Sequence, residues 1–314
     1  MTVSKLKLCV EHAVGCLRWS ELGLEIEALS ATSAPARLDD GRLDQVKAPK
    51  LFLLHIPRTG GTSIEETILG WVGAGQSARH IELLPHAERN SLSARTFLSG
   101  HMFYDEMKRL PYISDFKIII ALREPHARLA SALTAADALN DPENAPFYST
   151  FDRQTQATAD RLATVDVNNA TELAEFLATL NAWGRRAFDN CQTRFLSCDP
   201  FSGATASDAS ISAINLRTAC NRVEGADFLC ITERLTEGIR TVAHALEQPL
   251  PERIMQMNSS ASPVWGAGRR INHRDPKIRE AMGPAVRFDI QLYRHALGLG
   301  GRTNSAYCNA SRVS

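Results

Sequence analysis

A chain of 314 residues, 44% of them hydrophobic, is long enough to bury a full core as one elaborated domain or two small ones. Its 35 Lys and Arg balance 35 Asp and Glu, which removes any whole-molecule field that would draw it to nucleic acid or an anionic membrane. No run reaches the roughly 18 apolar residues of a membrane span, so the reading is one domain with no nucleic-acid partner and no membrane span.

Residues 3 to 29 carry an amphipathic helical pattern, and Ala31 to Gly41 has the composition of a linker. Residues 1 to 46 are read as a helical extension and linker, and 47 to 314 as the compact domain. Lys5 and Lys7 precede an apolar stretch, but Glu11, His12 and Arg18 interrupt it and no small-residue cleavage site follows, so no signal peptide is expected. Leu51 to Ile56 is a short apolar run that reads as a buried strand, and Thr62 to Val72 as a helix with Ile64, Ile68 and Trp71 on one face. Arg95 to Ser99 is a second strand leading into Gly100-His101. Phe116 to Leu122 is a third, and its nearly continuous apolar character fits a central parallel strand covered on both faces. Glu124 to Leu139 reads as a helix with Leu129 and Leu133 inward; Pro125 suits its first turn and Glu124 its positive end. Asn140 to Val167 is polar and irregular, with loops and short helices expected over a substrate cleft. Thr171 to Asp189 reads as one helix, with Leu173, Phe176, Leu177 and Leu180 at helical spacing. Phe228 to Ile231 is a further buried strand, followed by a helix from Arg234 to Leu246. Met257 to His273 is a loop, and Pro276 to Leu297 a closing helix carrying Ile278, Met282, Phe288 and Leu292. Strands alternating with helices predict a parallel α/β sheet.

The seven cysteines (Cys9, Cys16, Cys191, Cys198, Cys220, Cys230 and Cys308) are an odd set, with no CxxC pair and no histidines at zinc spacing. They read as reduced packing thiols in a cytoplasmic protein. Pairing of Cys191 with Cys198, or Cys220 with Cys230, stays open for an exported one.

The segment His55-Ile56-Pro57-Arg58-Thr59-Gly60-Gly61-Thr62-Ser63-Ile64-Glu65 joins the first strand to the first helix. Two glycines remove Cβ atoms where a ligand approaches the backbone, and Thr62 and Ser63 add hydroxyls beside the unpaired N–H groups of the helix start. Such a turn binds a tetrahedral anion. It is not a Walker A loop, which requires a lysine before the hydroxyl residue and a later acidic strand end to hold magnesium. Here Gly61 precedes Thr62 directly, and the long apolar strand ends in Leu122-Arg123. An arginine at that edge of a parallel sheet is a second anion contact, and the expectation is a nucleotide bound without metal.

These residues resemble a known family. Ile56 to Ser63 is similar to the 5′-phosphosulfate loop of sulfotransferases that use 3′-phosphoadenosine 5′-phosphosulfate (PAPS), usually PK[TS]G[GT]TS. Leu122-Arg123-Glu124-Pro125-His126-Ala127-Arg128-Leu129-Ala130-Ser131-Ala132 resembles their 3′-phosphate motif, an Arg-x-Pro with a serine eight residues after the arginine. The nearest resemblance is to the branch of heparan 2-O-, dermatan and chondroitin sulfotransferases and bacterial relatives. Ser99 to Tyr104, Asn190 to Leu196, Ile231 to Leu235 and Phe288 to Tyr293 add to it, so that it covers residues 50 to 298. It implies the P-loop-like sulfotransferase fold, a central parallel sheet flanked by helices. It also implies a PAPS-dependent enzyme that sulfates a carbohydrate hydroxyl, with a small natural product as the rival acceptor. The short form and the cysteines suggest a bacterial cytoplasmic enzyme, unlike Golgi-anchored relatives, and a magnesium-dependent nucleotide kinase is the alternative from a different class. A non-catalytic nucleotide-holding module and the oligomeric state stay open.

The resemblance assigns roles by position. His101 is the general base, since imidazole accepts a proton near neutrality. Arg58 stands where the family has lysine, and its permanently charged guanidinium clamps the leaving phosphate rather than protonating it. Thr59, Gly60, Gly61, Thr62 and Ser63 bind the 5′ end of the donor, and Arg123 and Ser131 its 3′-phosphate. Arg269 and Arg270, in Gly266 to Arg270, resemble the late basic loop that covers the nucleotide. Arg128 reads as an onlooker and His55 as a packed residue behind the site. Gln192, Thr193 and Arg194 either contact the acceptor or brace the cleft, and Glu233 is either a helix cap or a functional carboxylate. Trp183 is assigned to the core, and Trp265 to either the core or a sugar or purine face.

Overall fold

A computed structural model of the chain describes residues 49–200, 210–251, 254 and 268–299. The N-terminal extension, Trp265, Gly266, Cys9, Cys16 and Cys308 lie outside the described residues. Five strands form one all-parallel sheet: β1 (Lys50–Leu54), β2 (Ser77–Ala78), β3 (Phe97–Gly100), β4 (Phe116–Leu122) and β5 (Phe228–Ile231), in the order β2-β3-β1-β4-β5. The α/β expectation is met at this level.

The side-chain period of two divides the central strands between two cores. Phe52, Leu54, Leu98, Ile118, Ile120 and Leu122 face one layer, while Leu51, Leu53, Phe97, Ile119 and Ala121 face the other. This is why β1 and β4 read as unbroken apolar runs. The second face is closed by Ile64 and Ile68 of α1 (Gly61–Val72), and by Ile239 and Val242 of a later helix, Leu235–Ala245. The first face is closed by Ala219 and Val223 of helix Ala213–Glu224 and by Leu292 of the closing helix Pro276–Leu299. A third core lies beyond the sheet, where α2 (Pro125–Asp137) packs Leu129 and Leu133 against Leu173, Phe176, Trp183, Met282 and Val286. Trp183 is thus a core residue, as expected.

One expected helix is divided, one start moves by a residue, and further elements come in addition. The helix expected over 171–189 is two, α3 (Ala170–Ala178) and α4 (Ala182–Phe188). Asn181 lies in extended backbone and accepts from the Gly184 N–H, restarting the helix, while both pieces bury apolar residues and so preserve the period. The polar stretch 140–167 holds an 11-residue helix, Arg153–Ala163, started by Asp152, whose side chain accepts from the amides of Gln154 and Thr155. The helix expected to begin at Arg234 begins at Leu235, after a single tight turn over Thr232–Arg234. Helix Ala213–Glu224 and the two-residue edge strand β2 had no counterpart in the sequence reading. Among the described residues, Cys191, Cys198, Cys220 and Cys230 are free thiols, and burial pushes the Cys230 thiol up to about 12. No helix among the described residues is long and apolar enough to cross a membrane.

Candidate functional site

The site lies at the carboxyl edge of the sheet, where β1 is flanked by β3 on one side and β4 on the other. In a parallel sheet this edge collects the turns that precede helices, and ligands bind there. After Leu54 the chain stays paired for one more residue, His55 N–H donating to the Gly100 carbonyl at 3.0 Å. It then turns through Arg58 at φ 70° and Gly60 at φ 80°. The Thr59 hydroxyl closes the turn on the Ile56 carbonyl at 2.8 Å, and the Ser63 amide closes it on the Gly60 carbonyl at 3.1 Å. The Ser63 amide therefore helps to hold the turn, narrowing the set of loop amides left for an anion.

Both glycines have a steric reason. Gly60 takes the left-handed backbone that side chains disfavour. A Cβ on Gly61 would lie 2.1 Å from His55 Cδ2, so the start of α1 rests directly on the His55 ring. Thr232, just after β5, bridges the turn to the neighbouring strand end: its hydroxyl reaches the carbonyls of Thr59 at 2.6 Å and Leu122 at 3.0 Å.

On the β4 side the two motifs meet. Arg123 Nη1 donates to the Arg58 carbonyl at 3.2 Å, and Arg58 Nε donates to Ser131 Oγ at 3.1 Å. Arg58, Arg123 and Ser131, separated by up to 73 positions, form one cationic group. Burial first, then repulsion from Arg123 and Arg128, brings the Arg58 guanidinium down to about 10, so it remains charged near neutrality. Arg123 is lowered chiefly by burial, and Glu233 works in the opposite direction.

Arg128, read as an onlooker, is packed inside the protein. Its side chain is fully buried, 0% exposed, one turn before Ser131 on the same face of α2. Nη2 donates to the Ala187 carbonyl at 2.9 Å, while Nε and Nη1 meet no acceptor among the described residues. A buried guanidinium with two donor atoms unused is costly unless an anion or an opposing charge compensates it. Asp289, fully buried, is the carboxylate whose ionisation Arg128 favours against the cost of burial.

The side chains of the later motifs all make bracing contacts, and Glu233 does not cap the helix that follows it. Gln192 clamps the backbone of Arg123, accepting its N–H at 2.8 Å and donating to its carbonyl at 3.0 Å. Thr193 donates to Asp289 through its amide at 2.7 Å and its hydroxyl at 2.8 Å, and Arg194 pairs with Asp189 at 2.6 Å. Asn190 Oδ1 accepts from the amides of Phe288 and Asp289, fixing this segment to the closing helix four and five residues after Pro284. Glu233 accepts from the Glu124 N–H at 2.9 Å and from the Tyr293 hydroxyl at 2.8 Å. Glu124 itself caps α2 at the Ala127 amide, 2.7 Å away, as its position before Pro125 suggested.

Arg269 is not brought into this group. Its Nε and Nη2 grip Asp137 at the far end of α2, and its guanidinium also reaches the carbonyls of Leu162 and Val165. Arg270 is exposed beside it, with its carbonyl accepting from Asn168. The geometry makes Arg269 a structural tie.

On the β3 side the chemistry changes. His101 follows β3 directly, 2% exposed, with Nδ1 2.6 Å from the His55 carbonyl. That contact requires Nδ1–H and leaves the lone pair on Nε2, the tautomer a base needs. The His55 and His101 rings are 4.2 Å apart, and His80 lies 5.4 Å from His101 between ring centroids. Two carboxylates complete the cluster. Glu65, on the inner face of α1, holds His55 Nδ1 at 3.1 Å, and Glu82 meets His80 Nδ1 at 3.3 Å and the His101 N–H at 2.9 Å. Burial opposes ionisation of Glu65, but the charge and hydrogen bond of His55, then His80, outweigh it and hold the carboxyl down at about 2. His80, Glu82 and Glu65 were not singled out from the sequence. His80 and Glu82 carry no local motif, whereas Glu65 ends the loop segment, falls on the same helical face as the buried Ile64 and Ile68 and could have been flagged as a buried charge.

Neither a scan of protein-family models nor a search of curated proteins finds a match for this chain. What bears on function is therefore the site itself.

Proposed function

We propose that this protein transfers a sulfuryl group from PAPS to a hydroxyl of a carbohydrate acceptor. The observation that carries the reading is the junction of the two motifs: Arg123 bonded to the Arg58 carbonyl and Arg58 bonded to Ser131 beside the glycine turn. A phosphate-bearing donor suits this surface, since no carboxylate is paired with Arg58 or Arg123 within ion-pair distance among the described residues, and the buried Arg128 adds its charge to theirs.

The donor supplies a sulfuryl group on a phosphate leaving group. The acceptor oxygen forms the new O–S bond as the S–O bond to that phosphate breaks, and the acceptor proton passes to His101 Nε2. Nδ1–H held on the His55 carbonyl fixes the ring for this task. Arg58 and the start of α1 stabilise the charge left on the 5′-phosphate, and Arg123 with Ser131 orients the 3′ end. Arg58, still charged near pH 7, contributes electrostatics and not a proton.

Calorimetry of the full chain in metal-free buffer tests this. Binding of 3′-phosphoadenosine 5′-phosphate with ATP ignored supports the reading, and selective binding of Mg–ATP refutes it in favour of a kinase. Binding followed by no labelled-sulfate transfer across a library of carbohydrates and small hydroxyl- or amine-bearing acceptors would leave a nucleotide-holding module.

A further inference from the structure

The β3-side cluster has a property that sulfuryl transfer does not use. His80, Glu82 and His101 each offer a ligand atom, and the three atoms lie within 4.8 Å of one another. They come from two separate segments that meet only in the fold, and His80 and His101 are almost wholly buried. We propose that His80, Glu82 and His101 form a binding site for a divalent transition ion of the zinc class.

The donor set decides the ion. Two imidazoles and one carboxylate suit zinc or cobalt, whereas magnesium and calcium take oxygen ligands. The supporting contacts are those of a metal-binding histidine, whose second ring nitrogen is normally fixed on a carbonyl or carboxylate. His101 Nδ1 is fixed in this way on the His55 carbonyl at 2.6 Å, which leaves the lone pair on Nε2. Glu82 is already brought to His101 by the backbone N–H at 2.9 Å, and Gly100 permits that approach, because a Cβ there would lie 2.7 Å from Glu82 Oε2. His80 is set in left-handed backbone at φ 51°, uncommon for a residue with a side chain. The largely covered carboxylate of Glu82 and, one histidine away, the buried one of Glu65 offset the charge of a dication.

The site does not depend on the sulfuryl-transfer reading, but it bears on it. An ion bound to His101 Nε2 takes the lone pair that a base requires, so occupancy and catalysis exclude one another.

Titration of the full chain with Co²⁺, without nucleotide or acceptor, tests the site. The expected result is one equivalent bound, with the visible d–d absorption of low-coordinate Co²⁺, no thiolate charge-transfer band, and displacement by Zn²⁺. His80→Asn, chosen because asparagine tolerates left-handed backbone, and Glu82→Gln should each weaken binding at least tenfold, by about the cost of losing a metal-site contact. A wild-type protein with no saturable d–d band overturns the proposal whatever the folding of the variants. So does a thiolate band, or binding unchanged in both folded variants.

Discussion

On the β4 side of the glycine turn, Arg123 and Arg128 crowd against Arg58, which holds the Ser131 hydroxyl. On the β3 side, His55, His80 and His101 interleave with Glu65 and Glu82. The first group carries charge that pH does not remove near neutrality and that the protein does not fully balance, so it is suited to hold an anion. The second is balanced within itself, histidine against carboxylate or carbonyl, so it is suited to hold or move a proton, or to hold a cation. One strand and one turn keep the two apart: β1 pairs with β3 on one edge and with β4 on the other.

The division can be broken most sharply at His101. His101→Ala is expected to lower labelled-sulfate turnover by about 10²- to 10⁴-fold while calorimetry shows nucleotide affinity unchanged; wild-type turnover would remove the base assignment. Next is the acid sensitivity of the β3 side. The Glu65 carboxyl is lowered on folding from its ordinary 4.5 to about 2, so its contribution is fully present above pH 4.5 and lost as pH falls toward 2. That contribution is on the order of 3 kcal/mol. Denaturant melts across that window should show Glu65→Gln with a shallower loss than wild type, and identical slopes would contradict an ionised Glu65 in the folded state.

Gly61→Ala should strike both sides at once, because the added Cβ meets the His55 ring at 2.1 Å. A destabilisation of about 2–3 kcal/mol is expected from overpacking, read from the denaturant midpoint, and full stability would mean that His55 does not support the turn. Arg123→Ala should act on the arginine side alone. It is expected to weaken binding of 3′-phosphoadenosine 5′-phosphate by about 2 kcal/mol with turnover at saturation far less affected, and unaltered binding would separate Arg123 from the nucleotide. Arg269→Ala should matter least. Loss of its half-exposed pair with Asp137 is expected to cost about 1 kcal/mol of stability or less, with nucleotide affinity unmoved. A tenfold fall in affinity would restore the basic-loop role suggested by its sequence.

Much of this site was legible in the chain because it is local. The glycine turn, the strand-end arginine and the Glu124-Pro125 helix start are short-range devices whose residues specify their own backbone. Ser131 is also local, being eight positions from Arg123. Arg128 was legible as a residue but not as a buried one, since helical spacing places it beside Ser131 without saying what covers that face. Thr171 to Asp189 misled for a related reason. Two short helices that bury the same side keep the period of one, and only the Asn181 cap betrays the break.

The sequence by itself determined the alternation of apolar strands and amphipathic helices, and with it a parallel sheet whose turns gather at one edge. Hydrophobic periodicity and turn chemistry act over a few residues and need no distant partner. Only the tertiary structure decided that Arg58 would meet Ser131, that Gln192 would clamp Arg123, and that His80 and Glu82 would stand beside His101. Those meetings follow from the strand order β2-β3-β1-β4-β5, which sets side by side segments that the chain holds apart.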